Sequence, residues 1–316
     1  MPMQMFPLDA KANFMAKTKI TVAIFVLLAI ASALVIGFKG FNFALDFTGG
    51  TVAQIGFAKP IEVGVVRQRL EAAGIEGAQV QSYGGSSEVS VRMHAQSSED
   101  PAALQQVGDQ VLAALDSPEN KATLKSRDFV GPQIGKELAD SGVVAILLVL
   151  AGILLYVAIR FEWRFALAAV ACEGMDVLIT LGLFCALGYE FDLSALAAIL
   201  AVVGYSINDT IVVFDRIREM FRTSRRDNPH EIMNLAINQT LSRTVISSLT
   251  TLLTTLALFL VGGPSLKSFS AMLLIGIMAG TLSSIFFAAP VALMLGVSKK
   301  DMMRSVEVDP DLPARP

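Results

Sequence analysis

Six long apolar stretches set the pattern of polar and nonpolar positions along the chain. Segments 20–38, 142–159 and 268–297 hold no charged residue; 165–189 holds Glu173 and Asp176, 193–214 holds Asp209, and 244–263 follows directly on Arg243. Hydrocarbon offers the backbone no hydrogen-bond partner, so a spanning helix needs about 20 mostly apolar residues. Each stretch meets that length, and six transmembrane helices are expected. The last is long enough to tilt, with Pro290 placed to kink it. The first has a competing reading, because Lys11, Lys17 and Lys19 precede it and Ala31-Ser32-Ala33 imitates a signal-peptidase site. Its apolar run continues unbroken to Phe38, too long for a signal peptide, and it reads as an uncleaved anchor.

The pattern changes between the first and second stretches. Strands are expected at 51–57, 79–83, 88–94 and 122–130, with the middle two flanking the hairpin signal Gly84-Gly85. Helices are expected at 62–73, ended by Gly74, and at 100–115, with Pro101 at the favoured first position. Strand, helix, strand, strand, helix, strand is the split βαβ order of ferredoxin-like domains. The reading is a polytopic α-helical membrane protein with a small α+β ferredoxin-like domain between helices 1 and 2. It divides into an N-terminal segment 1–19, helix 1 at 20–38, the inserted domain at 39–141, helices 2–6 within 142–297 with a connecting loop at 215–240, and a tail at 298–316.

Composition agrees: 53% of the 316 residues are hydrophobic and 17% charged, with a mean hydropathy of +0.59, where a soluble domain carries nearer a quarter as charge. Basic residues sit on one side of the expected bundle, at Lys11, Lys17, Lys19, Arg160, Arg164, the cluster Arg216–Arg226 and Lys299–Arg315, while the short loops opposite hold only Lys267. The positive-inside rule then makes both termini cytoplasmic and the inserted domain external. Cys172 and Cys185 fall on one helix and cannot pair with each other. The insert holds more acidic than basic residues between Phe41 and Asp140, which argues against nucleic acid as a partner. His94 reads as an ordinary solvated strand end, and no metal cluster, phosphate-binding loop or nucleophile triad is evident. Work done by such a chain must draw on an ion gradient or a partner, with no cofactor.

The candidate chemistry lies in the apolar helices. An ionisable side chain at membrane depth costs at least about 2.5–3.5 kcal/mol, and Asp209 is one. At 1.5 Å per residue, Asp209 lies about 7.5 Å above the end of helix 4 near Phe214, and Arg243 about 5 Å above a start of helix 5 near Thr240. The opposite charges are at similar depth and can pair. A carboxylate poised between an arginine and an apolar surrounding can take up a proton and release the arginine, which cannot itself deprotonate; a static pair that fastens helices is the bland alternative. Ser247, Thr250, Thr251 and Thr254 continue a hydroxyl stripe from Arg243, suited to a file of water or to helix packing. Asp176 and Glu173 lie deeper. Asp176 with Asp209 invites comparison with intramembrane aspartyl proteases, but an arginine beside one carboxylate opposes a shared proton. Gly276-x-x-x-Gly280 can seat a close helix contact, within the bundle or between chains.

Longer motifs then become recognisable. The run from Val203-Gly204-Tyr205-Ser206-Ile207-Asn208-Asp209-Thr210 through Phe214-Asp215-Arg216 to Glu219 resembles the fourth-helix signature of the bacterial SecF family. Leu45-Asp46-Phe47-Thr48-Gly49-Gly50-Thr51 resembles that family's first periplasmic motif, in which Asp46, Gly49 and Gly50 stand out, and Val130-Gly131-Pro132-Gln133-Ile134-Gly135 resembles another. Leu241-Ser242-Arg243-Thr244 fits as well. The resemblance runs from about residue 15 to 297. It implies a subunit of the SecDF protein-export complex, of the resistance-nodulation-division superfamily, in the bacterial inner membrane. The implied partners are SecD, YajC, the SecYEG channel, the translocating preprotein and membrane lipid, and the implied coupling ion is the proton. It implies a proton-relay role for Asp209 and Arg243, with Ser247 where a relay hydroxyl is expected. Met175-Asp176 stands where His-Asp is expected, which sets Asp176 apart from the family's pattern. A proton-driven exporter of small molecules or lipids and a passive translocon-stabilising scaffold are the alternatives.

Overall fold

The computed structural model describes residues 12–75, 77–83, 85–93, 101–130, 132–225 and 227–298. Lys11, Gly84, His94, Gly131 and the tail beyond residue 298 lie outside them. Six helices are long and apolar enough to cross a membrane: α1 (Thr18–Lys39, entered through a 3₁₀ turn), α5 (Pro132–Arg160), α6 (Trp163–Leu187), α7 (Leu193–Thr223), α8 (Pro229–Val261) and α9 (Lys267–Ser283) continued by α10 (Ala289–Met294). The chain is a multi-pass membrane protein. α6, α7 and α9 form the buried centre, while α1, α5 and α8 turn most of their apolar surface outward.

The helices outrun their apolar cores. Segment 215–240, expected as a loop, is helical over 215–223 and 229–240, because Arg, Glu and Met propagate a helix as well as apolar residues do. Apolarity marks where the lipid ends, whereas hydrogen bonding marks where the helix ends. Arg216 Nε donates to Gln239 Oε1 at 2.7 Å and clips the polar extensions of α7 and α8 together; Asn228 Oδ1 accepts from the His230 N–H at 3.0 Å and caps α8. Likewise α5 begins at Pro132, inside the segment assigned to the external domain.

Glycines set how closely the bundle packs. A Cβ at Gly182 on α6 would sit 2.2 Å from Ser32 Cβ and 2.6 Å from its Cα, so α1 and α6 cross almost backbone to backbone. A Cβ at Gly276 would meet Val202 at 2.4 Å, and one at Gly280 would meet Ser206 Oγ at 2.8 Å. The Gly276-x-x-x-Gly280 pair therefore seats α9 on α7 within this chain. Pro290, which lacks an N–H and crowds the carbonyl four residues earlier, is preceded by a π-helical turn, Ser284–Ala288.

The insert is a four-stranded antiparallel sheet in the order β3-β4-β2-β5, made of β2 (Gly50–Phe57), β3 (Gln79–Ser82), β4 (Glu88–Met93) and β5 (Ala122–Val130). Helices α3 (Val63–Ala72) and α4 (Pro101–Leu115) complete the ferredoxin-like arrangement. Period-2 alternation turns Ala53, Ile55, Val89 and Val91 inward onto Val66, Leu70, Val111 and Leu115, each at most 1% exposed. Between α1 and this sheet lie β1 (Asn42–Phe43) and the single turn α2 (Leu45–Thr48); β1 pairs in parallel with β6 (Glu190–Phe191) in the α6–α7 connection.

Candidate functional site

Asp209 lies four turns into α7, on the face toward α8 and α9, and is 4% exposed. Its Oδ2 accepts a hydrogen bond from Ser248 Oγ of α8 at 3.4 Å. Ser248 in turn accepts from Thr281 Oγ1 of α9 at 2.8 Å and from Tyr205 OH at 3.4 Å. Three helices thus meet at one hydroxyl beside a buried carboxylate. The sequence reading favoured Ser247, yet Ser247 Oγ donates to the Arg243 and Thr244 carbonyls of its own helix, at 2.9 and 3.0 Å. The available signal was the second α8 stripe, Thr244, Ser248 and Thr255, which is the buried one. Arg243, Thr250 and Thr254 lie on the exposed face, where Thr250 and Thr254 bond back to carbonyls one turn earlier.

The expected ion pair between Asp209 and Arg243 is not formed: among the described residues none within 4.0 Å joins them. Their depths match, but one residue step turns a helix by about 100°, so Thr244 and Ser248 face the bundle while Arg243 faces outward. Arg243 instead borders a cavity of about 770 Å³, lined also by Tyr156, Arg160, Asp215, Arg216 and Gln239, at the end of the bundle remote from the inserted domain. Arg160 and Asp215 pair across that cavity at 3.3 Å, and Arg216 pairs with Glu219 at 2.5 Å. A polar basin therefore reaches up to the arginine, with Asp209 buried beyond it.

Asp176 forms a separate centre with its own partners. Its Oδ2 accepts from Ser206 Oγ of α7 at 2.6 Å and Ser283 Oγ of α9 at 2.7 Å, in space left open by Gly280. Glu173, one turn earlier, is fully buried, and its carboxyl oxygens have no hydrogen-bond partner among the described residues. Asp176 and Asp209 bond to different hydroxyls, not to each other. Cys172 and Cys185 are free and buried; Cys172 donates to Ser283 Oγ at 3.4 Å.

The motif near α1 occupies the other end of the bundle. Asp46 Oδ2 accepts the Leu193 N–H, the first of α7, at 2.9 Å. Gly49 and Gly50 have φ of 68° and 125°, values that favour glycine, and they turn the chain from α2 into β2. A Cβ at Gly135 of α5 would lie 2.9 Å from the Phe47 carbonyl oxygen. The two motifs that flank the inserted domain in sequence are thus packed on each other.

Comparison with known proteins agrees with this layout. Residues 110–298 match the family model described as "Protein export membrane protein SecD/SecF, C-terminal", and residues 34–61 match the "SecD/SecF GG Motif". The chain belongs to the SecD/SecF protein-export family. It is 46% identical over 279 residues to the "Protein translocase subunit SecF" of Escherichia coli O157:H7, covering 88% of this chain and 86% of that one. It is 44% identical over 301 residues to the subunit of that name from Vibrio alginolyticus, covering 95% of each. The crystal structure of SecDF from Thermus thermophilus, described as a translocon-associated membrane protein, matches with a TM-score of 0.81 at 40% identity. A SecDF structure in a "Super-membrane-facing form" matches at 0.67 and 41%. Each SecDF alignment covers 92% of this chain and 39% of the other, so this SecD/SecF member spans about two fifths of those chains.

Proposed function

We propose that this chain is the SecF-type subunit of a protein-export complex. With a SecD partner it uses the proton gradient to assist preprotein movement through the SecYEG channel on the external side. The observation that carries the reading is Asp209, a nearly fully buried carboxylate in the family's signature helix, bonded to Ser248 and separated from a polar basin by Arg243. Protonation removes its charge, deprotonation restores it, and either change alters its attraction to the nearby guanidinium. One charge crossing about 150 mV is worth about 3.5 kcal/mol, enough to shift a two-state equilibrium by more than two decades. Such a cycle needs no nucleotide and no cofactor beyond the coupling ion. The small size of the ferredoxin-like domain favours export assistance over small-molecule extrusion, which calls for a large external porter domain with an apolar cleft. YajC and the surrounding lipid complete the proposed assembly.

The test is preprotein export in cells lacking the chain, complemented with wild type, with the proton gradient intact or collapsed. Complementation that disappears with the gradient is expected. Equal complementation in both conditions would leave the passive scaffold as the better reading.

The proposed location is the inner membrane, with both termini cytoplasmic. A single cysteine placed at Glu71 is expected to react with a membrane-impermeant reagent in intact cells, and one at Ser224 is expected not to. The reverse pattern would invert the topology and put the proposed external domain on the wrong side of the membrane.

A further inference from the structure

The segment leaving α1 grips the outer end of α7, through contacts that the relay reading does not use. Asp192 already caps α7 locally, accepting from the Ala195 N–H at 2.7 Å and from Ser194 Oγ at 2.7 Å. Yet the first N–H of the helix, at Leu193, is served by Asp46 from far upstream. A helix N-terminus exposes unpaired N–H groups and a partial positive charge, so a carboxylate is suited to hold it. Beside this contact, the Ala44 N–H donates to Phe191 O at 2.9 Å and extends the β1–β6 pairing. Phe191 contacts the rings of Phe41, Phe43 and Phe47, with centroids 5.2–6.0 Å apart.

The sheet itself takes part. Arg92 on β4 pairs with Glu190 at 2.9 Å, its side chain only 11% exposed, and also donates to Phe43 O at 3.1 Å. One guanidinium therefore joins the domain, its linker and the α6–α7 connection. Asp209 lies sixteen residues beyond Leu193 on the same unbroken helix, about 24 Å away at 1.5 Å per residue.

We propose that Asp46 and Arg92 are positioning residues that make the external domain and the outer half of α7 a single mechanical body. Displacement of the helix that carries Asp209 is then delivered to the domain without a flexible joint. The functional part of this inference rests on the proposed role of Asp209; the rigidity does not.

Spin labels at Gln81 on β3 and Leu193, in the full-length chain in lipid vesicles with Cys172 and Cys185 replaced by alanine, read the rigidity. A single narrow distance distribution is expected in the otherwise unaltered chain and in Asp209→Asn. It should broaden in the Asp46→Ala, Arg92→Ala double variant and stay narrow in Asp46→Asn, which keeps an acceptor for the Leu193 N–H. A broad distribution without substitution, or a narrow one in the double variant, would overturn the inference. So would an Asp46→Asn distribution as broad as that of the double variant. Normal export by Asp209→Asn would instead remove the relay reading and leave the distances as they are. A second measurement exchanges one contact for a covalent bond: cysteines at Asn42 and Glu190, Cα partners in the β1–β6 pair, give up the Arg92–Glu190 pair but can be cross-linked. Export by the oxidised form is expected to equal or exceed that of the reduced form, since a bond within one body obstructs nothing. Export that stops on oxidation and returns on reduction would show that the two parts must move apart.

Discussion

Asp209→Asn is expected to abolish proton-dependent export while leaving the chain folded, inserted and at normal abundance. The side chain is 4% exposed, and its one hydrogen bond among the described residues comes from the Ser248 hydroxyl. Asparagine keeps the size and an acceptor oxygen, so packing against α8 and α9 survives. What disappears is the ability to alternate between a charged and a neutral state at this depth. Because one charge is worth about 2.3 kcal/mol per 100 mV, losing the proposed carrier removes the coupling free energy it supplies. Ser248→Ala should depress the same readout, whereas Ser247→Ala, whose hydroxyl bonds only to its own helix, should not. The measurement is preprotein export at normal membrane potential, normalised to membrane abundance. Full export by Asp209→Asn would sink the relay and leave a buried carboxylate that merely holds three helices together.

The second large effect concerns a missing wall. Purified alone in liposomes with an imposed proton gradient, the chain is expected to conduct no protons. Arg243, Thr250 and Thr254 lie on the exposed face of α8, in line with the polar basin. Facing lipid, such a guanidinium costs at least about 2.5–3.5 kcal/mol, and among the described residues the hydroxyls there have nothing across from them with which to hold water. A second set of helices laid over α8 would close the path, and with a SecD partner present flux is expected to appear and to vanish on Asp209→Asn. Proton flux from the chain alone, lost on Asp209→Asn, would show that one half suffices.

Much of the architecture was legible in the residues because membrane helices and alternating strands impose strong periodicities. The apolar runs located all six helices, and the strand order of the insert followed from alternation at residues such as Val89, Val91 and Met93. Helix ends were not legible in the same way. Arg216, Glu219, Glu231 and Gln239 stop an apolar run without stopping a helix, so the α7–α8 hairpin looked like a long loop. At the site, depth could be computed from a 1.5 Å rise, but azimuth could not. Arg243 and Ser247 share one face and Thr244 and Ser248 the next, and only the packing of α8 on α7 decides which face meets Asp209. The role of Asp46 was hidden for another reason: its acceptor serves an N–H on a helix 147 residues away, and no local pattern records such a partner.

The widened turn ahead of Pro290 has a mechanical consequence of its own. A π-helical turn holds one residue more than an α-helical turn, and it breaks the strict register between the two ends of the sixth crossing. Ser283, one of the two hydroxyls that hold Asp176, lies just before it; Ala289 and Ala292, both buried, lie just after. Such a surplus residue gives the helix the geometry of a slip joint. If it migrates along the helix, the residues it passes rotate by about 100° while both ends keep their seats. The polypeptide can thus re-aim one ring of side chains at the bundle centre without lifting a whole helix out of its grooves.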